Sequence, residues 1–186
     1  MLFSRWILKI VGWKTVLKTE KLSKSVICVA PHTSNWDFLL GKLFYSAVEG
    51  GKVSFLMKRS WFFFPVGNVL RAIGGVPIDR SKRNLITAQM IDRFDSTAQF
   101  HLAITPEGTR KLNDTWKMGF YHIAKGAGVP IRLAYLDYRK KEMGMTETFY
   151  PTDDEKADME YIRGFYKGIV PRFPEKFHED QLTQTR

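Results

Sequence analysis

Short apolar runs rich in β-branched residues alternate with helix-patterned stretches along this chain, and that alternation constrains its fold more than any other feature. Val26-Ile27-Cys28-Val29-Ala30, Val53-Ser54-Phe55-Leu56-Met57, Val76-Pro77-Ile78, Phe100 to Ile104 and Pro130 to Tyr138 read as strands, and Thr146 to Tyr150 as one more. Runs this short and this apolar suit strands covered on both faces. Between them, Phe38 to Val48, Asn68 to Ile73, Asn84 to Phe94, Trp116 to Ala127 and Asp153 to Ile169 carry helical patterning, and Gly50-Gly51, Gly74-Gly75 and Gly128 close three of them. Alternation of this kind predicts an α/β fold: a single domain with a mostly parallel central sheet flanked by helices. A chain of 186 residues is enough for one such core, and neither a repeat nor a linker divides it.

The remaining classes are narrowed by composition and charge. A single cysteine, Cys28, inside an expected buried strand speaks against a disulfide framework and a zinc site, and for reducing surroundings. No window approaches 18 uninterrupted apolar residues, so no transmembrane span is expected. The stretch from Met1 to Lys18 is interrupted by Arg5, Lys9 and Lys14 and lacks a small-residue cleavage site, unlike a signal peptide. The net charge of +10 is uneven: residues 1–83 hold 14 Lys and Arg against four Asp and Glu, while residues 84–186 hold 15 of each. An excess confined to one part of the chain points to an anionic partner. Nucleic acid, an anionic membrane surface, a phosphorylated substrate and an acidic carrier protein all fit that description.

Trp6, Ile10, Trp13 and Leu17 recur at helical spacing, with Arg5, Lys9, Lys14 and Lys18 largely off that stripe. The pattern predicts an amphipathic helix over residues 1–20, either lying on a membrane surface or packed on its own domain. Trp61-Phe62-Phe63-Phe64 is the most apolar stretch and reads as core, or as a membrane-dipping element beside Lys58-Arg59. The polar end, residues 171–186, reads as a loosely ordered tail.

Chemistry-bearing residues gather just beyond the expected strands. Pro31 ends the first run, and Ser34 with Asp37 three residues on has the form of a capping box, so a helix begins at Ser34. His32 and Asp37 are too far apart in helical phase to share one face. They meet only if His32 sits ahead of the helix and bends back, an arrangement suited to a general base and its orienting carboxylate. The bland alternative is a helix cap beside a surface histidine. Arg80 follows Val76-Pro77-Ile78, and Thr105-Pro106-Glu107-Gly108 follows Phe100 to Ile104 with the proline and glycine placement of a type I turn. His32, Arg80 and Glu107 each lie one to three residues past a strand's C-terminal end, the edge where open α/β sheets bind ligands.

His32-x4-Asp37, Gly75-Val-Pro-Ile-Asp-Arg80, Thr105-Pro-Glu-Gly-Thr-Arg110 and Val129-Pro130-Ile131 resemble, in order and spacing, the four motif blocks of the glycerolphosphate and lysophosphatidate acyltransferase family. Thr105 stands where the family has phenylalanine, and Leu133 where it has a second proline. The resemblance implies an O-acyltransferase of phospholipid biosynthesis. His32 would act as general base with Asp37 orienting it. Arg80, Glu107, Gly108, Thr109 and Arg110 would bind the acceptor, with the arginines on an anionic head. The acyl donor would be acyl-CoA or acyl carrier protein, with no cofactor and no metal. The acceptor would be a lyso-lipid, 1-acylglycerol-3-phosphate by default, or a non-phosphate lipid such as an aminoacyl lipid. The protein would work from the cytoplasm, peripherally on the inner face of an anionic membrane. A non-enzymatic basic lipid- or nucleic-acid-binding module leaves His32-x4-Asp37 unexplained. The basic run Arg80 to Arg83 also lacks interleaved aromatics, so no nucleic-acid partner is expected.

Overall fold

The computed structural model describes residues 2–79, 83–113 and 115–177. Among them seven strands form one sheet: β1 (Lys14–Leu17), β2 (Lys24–Val29), β3 (Ser54–Lys58), β4 (Gly75–Ile78), β5 (Phe100–Ile104), β6 (Ile131–Asp137) and β7 (Glu142–Phe149). Their spatial order is β1-β7-β6-β2-β5-β3-β4. The five strands from β6 to β4 run parallel, whereas β7 is antiparallel to β6 and carries β1 parallel to itself. All five parallel strands therefore end on one edge. Six α-helices surround the sheet: α1 (Leu2–Ile10), α2 (Asn35–Val48), α3 (Val66–Ala72), α4 (Arg83–Ser96), α5 (Gly119–Gly126) and α6 (Glu155–Phe165).

Strand β2 shows why its sequence is apolar throughout. Val26 and Cys28 face a core built with Met90 and Phe94 of α4, Phe120 and Ile123 of α5, and Met159 and Ile162 of α6. Ile27 between them faces the second core, with Leu8 of α1 and Leu40 and Phe44 of α2. Both pleat faces are covered, so both residue sets must be apolar. The expected α/β sheet is thus the observed one.

Three expectations change. The helix expected over residues 1–20 ends at Ile10: Gly12 turns the chain at φ +76°, and Lys14–Leu17 is strand β1, in register with Glu142 to Met145 of β7. Trp13 and Leu17 therefore do not continue the stripe of Trp6 and Ile10. Trp13 packs edge-on against Tyr138 with ring centroids 5.0 Å apart. Pairing along a strand edge outweighs the helical spacing, a tertiary override of local pattern. Helix α1 itself packs on the domain through buried Leu8, a Ser4–Ser46 hydroxyl bond of 2.9 Å and Arg5 Nε donating to the Ala47 carbonyl at 2.9 Å. Its outer side leaves Leu2, Phe3, Trp6 and Ile10 exposed.

The second change is at Trp61 to Phe64, which is not core: Trp61, Phe63 and Phe64 are exposed, Phe64 by 86%. The third concerns the tail. Residues 171–177 are held rather than loose, with Phe177 buried and the Phe173 amide donating to Thr33 Oγ1 at 3.2 Å, while 178–186 lie outside the described residues. Among the described residues, no helix is long and apolar enough to cross a membrane.

Candidate active site

The sharp turn out of β2 delivers His32 three residues past Val29, and α2 starts immediately after it. Ser34 caps α2 with extended backbone, and the capping box closes through the Asp37 carboxylate. Asp37 does more than cap. Its Oδ2 accepts the Ser34 amide at 2.8 Å, the Thr33 amide at 2.9 Å and His32 Nδ1 at 3.2 Å, while Oδ1 accepts the Tyr138 hydroxyl at 2.6 Å. The carboxylate is 4% exposed. Burial pushes its pKa up, but the bonds from His32, Tyr138 and Ser34 outweigh that and hold it below the usual carboxylate range. His32 keeps a sixth of its side chain accessible, and with Nδ1 held by Asp37 the other ring nitrogen is the one left to take a substrate proton. That is the geometry of a general base with its orienter.

Glu107 stands three residues past β5, which pairs directly with β2. Its Oε1 accepts the His32 amide at 3.1 Å, and its Oε2 has no hydrogen-bond partner among the described residues. Burial dominates its titration, with nearby Asp37 adding to it, and the pKa is pushed up to about 8. At neutral pH Glu107 is therefore largely uncharged. It anchors the His32 backbone without competing with Asp37 for positive charge on the imidazole.

The turn after Glu107 closes through the Gly108 amide to the Thr105 carbonyl at 3.1 Å, with Gly108 at φ +63°. That left-handed backbone is what favours glycine here, while the Lys117 side chain lies close over it. Thr109 accepts the Lys111 amide through Oγ1, and Arg110 ties the turn to α2 by bonding Asn35 Oδ1. Asn113 braces the loop from below, donating to the Glu107 carbonyl at 3.0 Å and the Thr115 carbonyl at 2.8 Å. His32, Asp37, Glu107, Gly108, Thr109 and Arg110 thus gather on one edge of the sheet. Arg80 lies outside the described residues. Trp6 and Ile10 stand on the outer side of α1, apart from Trp13 and Leu17.

Sequence reasoning passed over Tyr138, although a signal existed: it stands one residue beyond β6, at the same sheet edge as the others. The segment holding residues 170–173 was passed over too. The Tyr138 amide donates to the Val170 carbonyl at 2.9 Å, and the Arg172 guanidinium lies 5.5 Å over the Trp36 ring. Cys28 takes no part. Burial pushes its thiol up, so it is no nucleophile near neutrality.

Comparison with known proteins adds to this geometry. A family model described as acyltransferase matches residues 14–132, a span that contains every block from His32 to Ile131. A comparison with curated proteins gives no match. Among solved structures, the 1-acyl-sn-glycerophosphate (LPA) acyltransferase PlsC of Thermotoga maritima is similar in fold. The TM-score is 0.61 at 18% identity, over 89% of this chain and 74% of that one.

Proposed function

Since the chain belongs to the acyltransferase family, we propose that it moves a fatty acyl group from an acyl thioester to a hydroxyl of a lyso-lipid, with 1-acylglycerol-3-phosphate as acceptor. The observation that carries the reading is the His32 Nδ1 bond to a buried, ionised Asp37 at the sheet's C-terminal edge. In this reaction the free imidazole nitrogen takes the acceptor's hydroxyl proton as its oxygen attacks the thioester carbonyl carbon. Asp37 steadies the resulting imidazolium. The tetrahedral adduct then collapses, the C–S bond breaks, and the thiolate leaves with the proton His32 had taken. No covalent enzyme intermediate is needed. Arg110 on the Glu107 turn, and Arg80 by its place in the motif, would supply guanidinium for the acceptor's anionic head.

The test is a mixture of the protein, an acyl-CoA or acyl carrier protein thioester, and a panel of lyso-lipids, read by which lipid gains the acyl mass. Gain by lysophosphatidate supports the reading. Gain only by lyso-lipids without phosphate moves the acceptor to the neutral or aminoacyl class and removes the anion-binding role from the arginines.

A lipid substrate requires the protein to reach the bilayer, and the reading places it peripherally on the cytoplasmic side. Support comes from the exposed Leu2, Phe3, Trp6 and Ile10 of α1 together with the positive excess in residues 1–83. Binding to vesicles is then expected to need anionic lipid and to weaken with salt, since each basic residue near the surface contributes roughly 1 kcal/mol within a Debye length. Trp6→Ala with Ile10→Ala is expected to weaken binding by about 10- to 100-fold, the scale of one or two apolar side chains leaving the interface. Both residues are more than 60% exposed, so the domain keeps its core. Unchanged binding by this pair of substitutions transfers the contact to Trp61, Phe63 and Phe64.

A further inference from the structure

Asp37 receives two kinds of support. Oδ2 carries three donors, all from residues within five positions of it: the Thr33 and Ser34 amides and His32 Nδ1. Oδ1 accepts from a donor of different origin, the hydroxyl of Tyr138, which arrives from the end of β6. At 2.6 Å this is a short, charge-assisted bond. Its direction is also fixed. The Tyr138 ring is half-buried and stands edge-on to Trp13, and its backbone amide is tied to Val170.

We propose that Tyr138 is the third member of the His32–Asp37 pair, a positioning residue whose hydroxyl clamps Oδ1 and so keeps Oδ2 on the imidazole. A carboxylate turns about its Cβ–Cγ bond with broad freedom. The two backbone amides can donate to either of its oxygens, so the helix cap tolerates such a turn. A donor on the far oxygen resists the rotation that would draw Oδ2 away from His32. The assignment rests on the acyl-transfer reading for its kinetic consequences, although not for its geometry.

Other charged groups in contact with this cluster set its electrostatics. Glu107 approaches from the β5 turn, its carboxyl pushed up to about 8 by burial. Arg172 approaches from the C-terminal segment and lies beside the phenol. Asp137 next door is engaged with the Arg139 and Lys140 amides. Burial and the bond to Asp37 push the Tyr138 phenol up, so it remains a proton donor throughout.

The experiment compares the parent with Tyr138→Phe, which keeps the ring against Trp13. Acyl transfer from the thioester to the lyso-lipid is expected to lose about 10- to 100-fold in kcat, the scale of one hydrogen bond to a charged group. KM for both substrates is expected to stay within about twofold. The acid limb of the rate profile is expected to move to higher pH, because a carboxylate no longer shared with the phenol holds the pair's proton more tightly. In an Asp37→Asn background the same change is expected to cost less than about threefold. Independently of any acceptor, carbon-detected NMR titration of the Asp37 carboxyl is expected to show its midpoint rising in Tyr138→Phe. A parental kcat, an unmoved Asp37 titration, a loss carried by KM, or a full loss in the Asp37→Asn background each overturns the proposal. Should the parent transfer to no acceptor offered, the acyl-transfer reading falls, and the Asp37 titration alone decides for or against the clamp.

Discussion

Replacing His32 with alanine is expected to lower acyl transfer by about 10²–10⁴-fold while leaving the domain folded, the range that a positioned general base supplies. The fold survives because the imidazole contributes little to it. Its side chain stands at the surface edge of the site, and the contacts that shape the turn run through its backbone and its neighbours. The His32 amide still donates to Glu107, and Asp37 keeps the Thr33 and Ser34 amides and the Tyr138 hydroxyl. Single-turnover transfer, with thermal unfolding run alongside, separates chemistry from stability. A variant that keeps more than a few per cent of the parental rate takes the proton-transfer role away from His32.

Glu107→Gln is expected to change how stability depends on pH, by up to about 4–5 kcal/mol across the affected window. In the unfolded chain the carboxyl titrates near 4.5, and in the folded protein near 8. Between those values the folded state keeps a proton that the unfolded state has lost. Parental stability therefore falls as pH rises through this window, and it levels off above the folded value. Glutamine has no proton to lose, so the variant lacks this slope, and the gap between the two proteins shifts in its favour as pH rises. Urea unfolding at intervals through the window measures the gap directly. Parallel stability curves would mean that Glu107 is ionised inside the folded protein, and its role as a neutral anchor for the His32 backbone would be lost.

What the sequence revealed and what it concealed follow from the range of the interactions concerned. The Ser34 cap with Asp37 at its third helical position is a local device, complete within four residues, and it stands where the spacing placed it. The strand runs around Cys28 and Leu102 are apolar because both faces are covered, so their burial was written in composition. His32 and Glu107 were legible as site residues through their place past strand ends. Strand β1 was not, because Lys14-Thr15-Val16-Leu17 owes its extended form to a partner far along the chain, and the spacing of Trp13 and Leu17 mimics a helix. Trp61 to Phe64 misled in the other direction. Hydrophobicity predicts a wish to leave water, but not whether protein or lipid satisfies it. Tyr138 lies between these cases: its place at the end of β6 marks the sheet edge, but its pairing with Asp37 is made only by the sheet.

The pairing of β1 with β7 also dictates an order of events as the chain is made. Strand β1 finds its parallel neighbour only when Glu142 to Met145 have been synthesised, so it must wait for a strand made much later. Contacts of such sequence separation form late and slowly, whereas α1 completes its own hydrogen bonds within a turn or two. At nine residues α1 is too short to persist alone, but its support comes from α2 through Leu8, Ser46 and Ala47, all made before β7. The side of α1 that exposes Trp6 and Ile10 is therefore in place before the sheet edge behind it is laid down. In this chain an early helix can be seated before the strand that completes the sheet beside it exists.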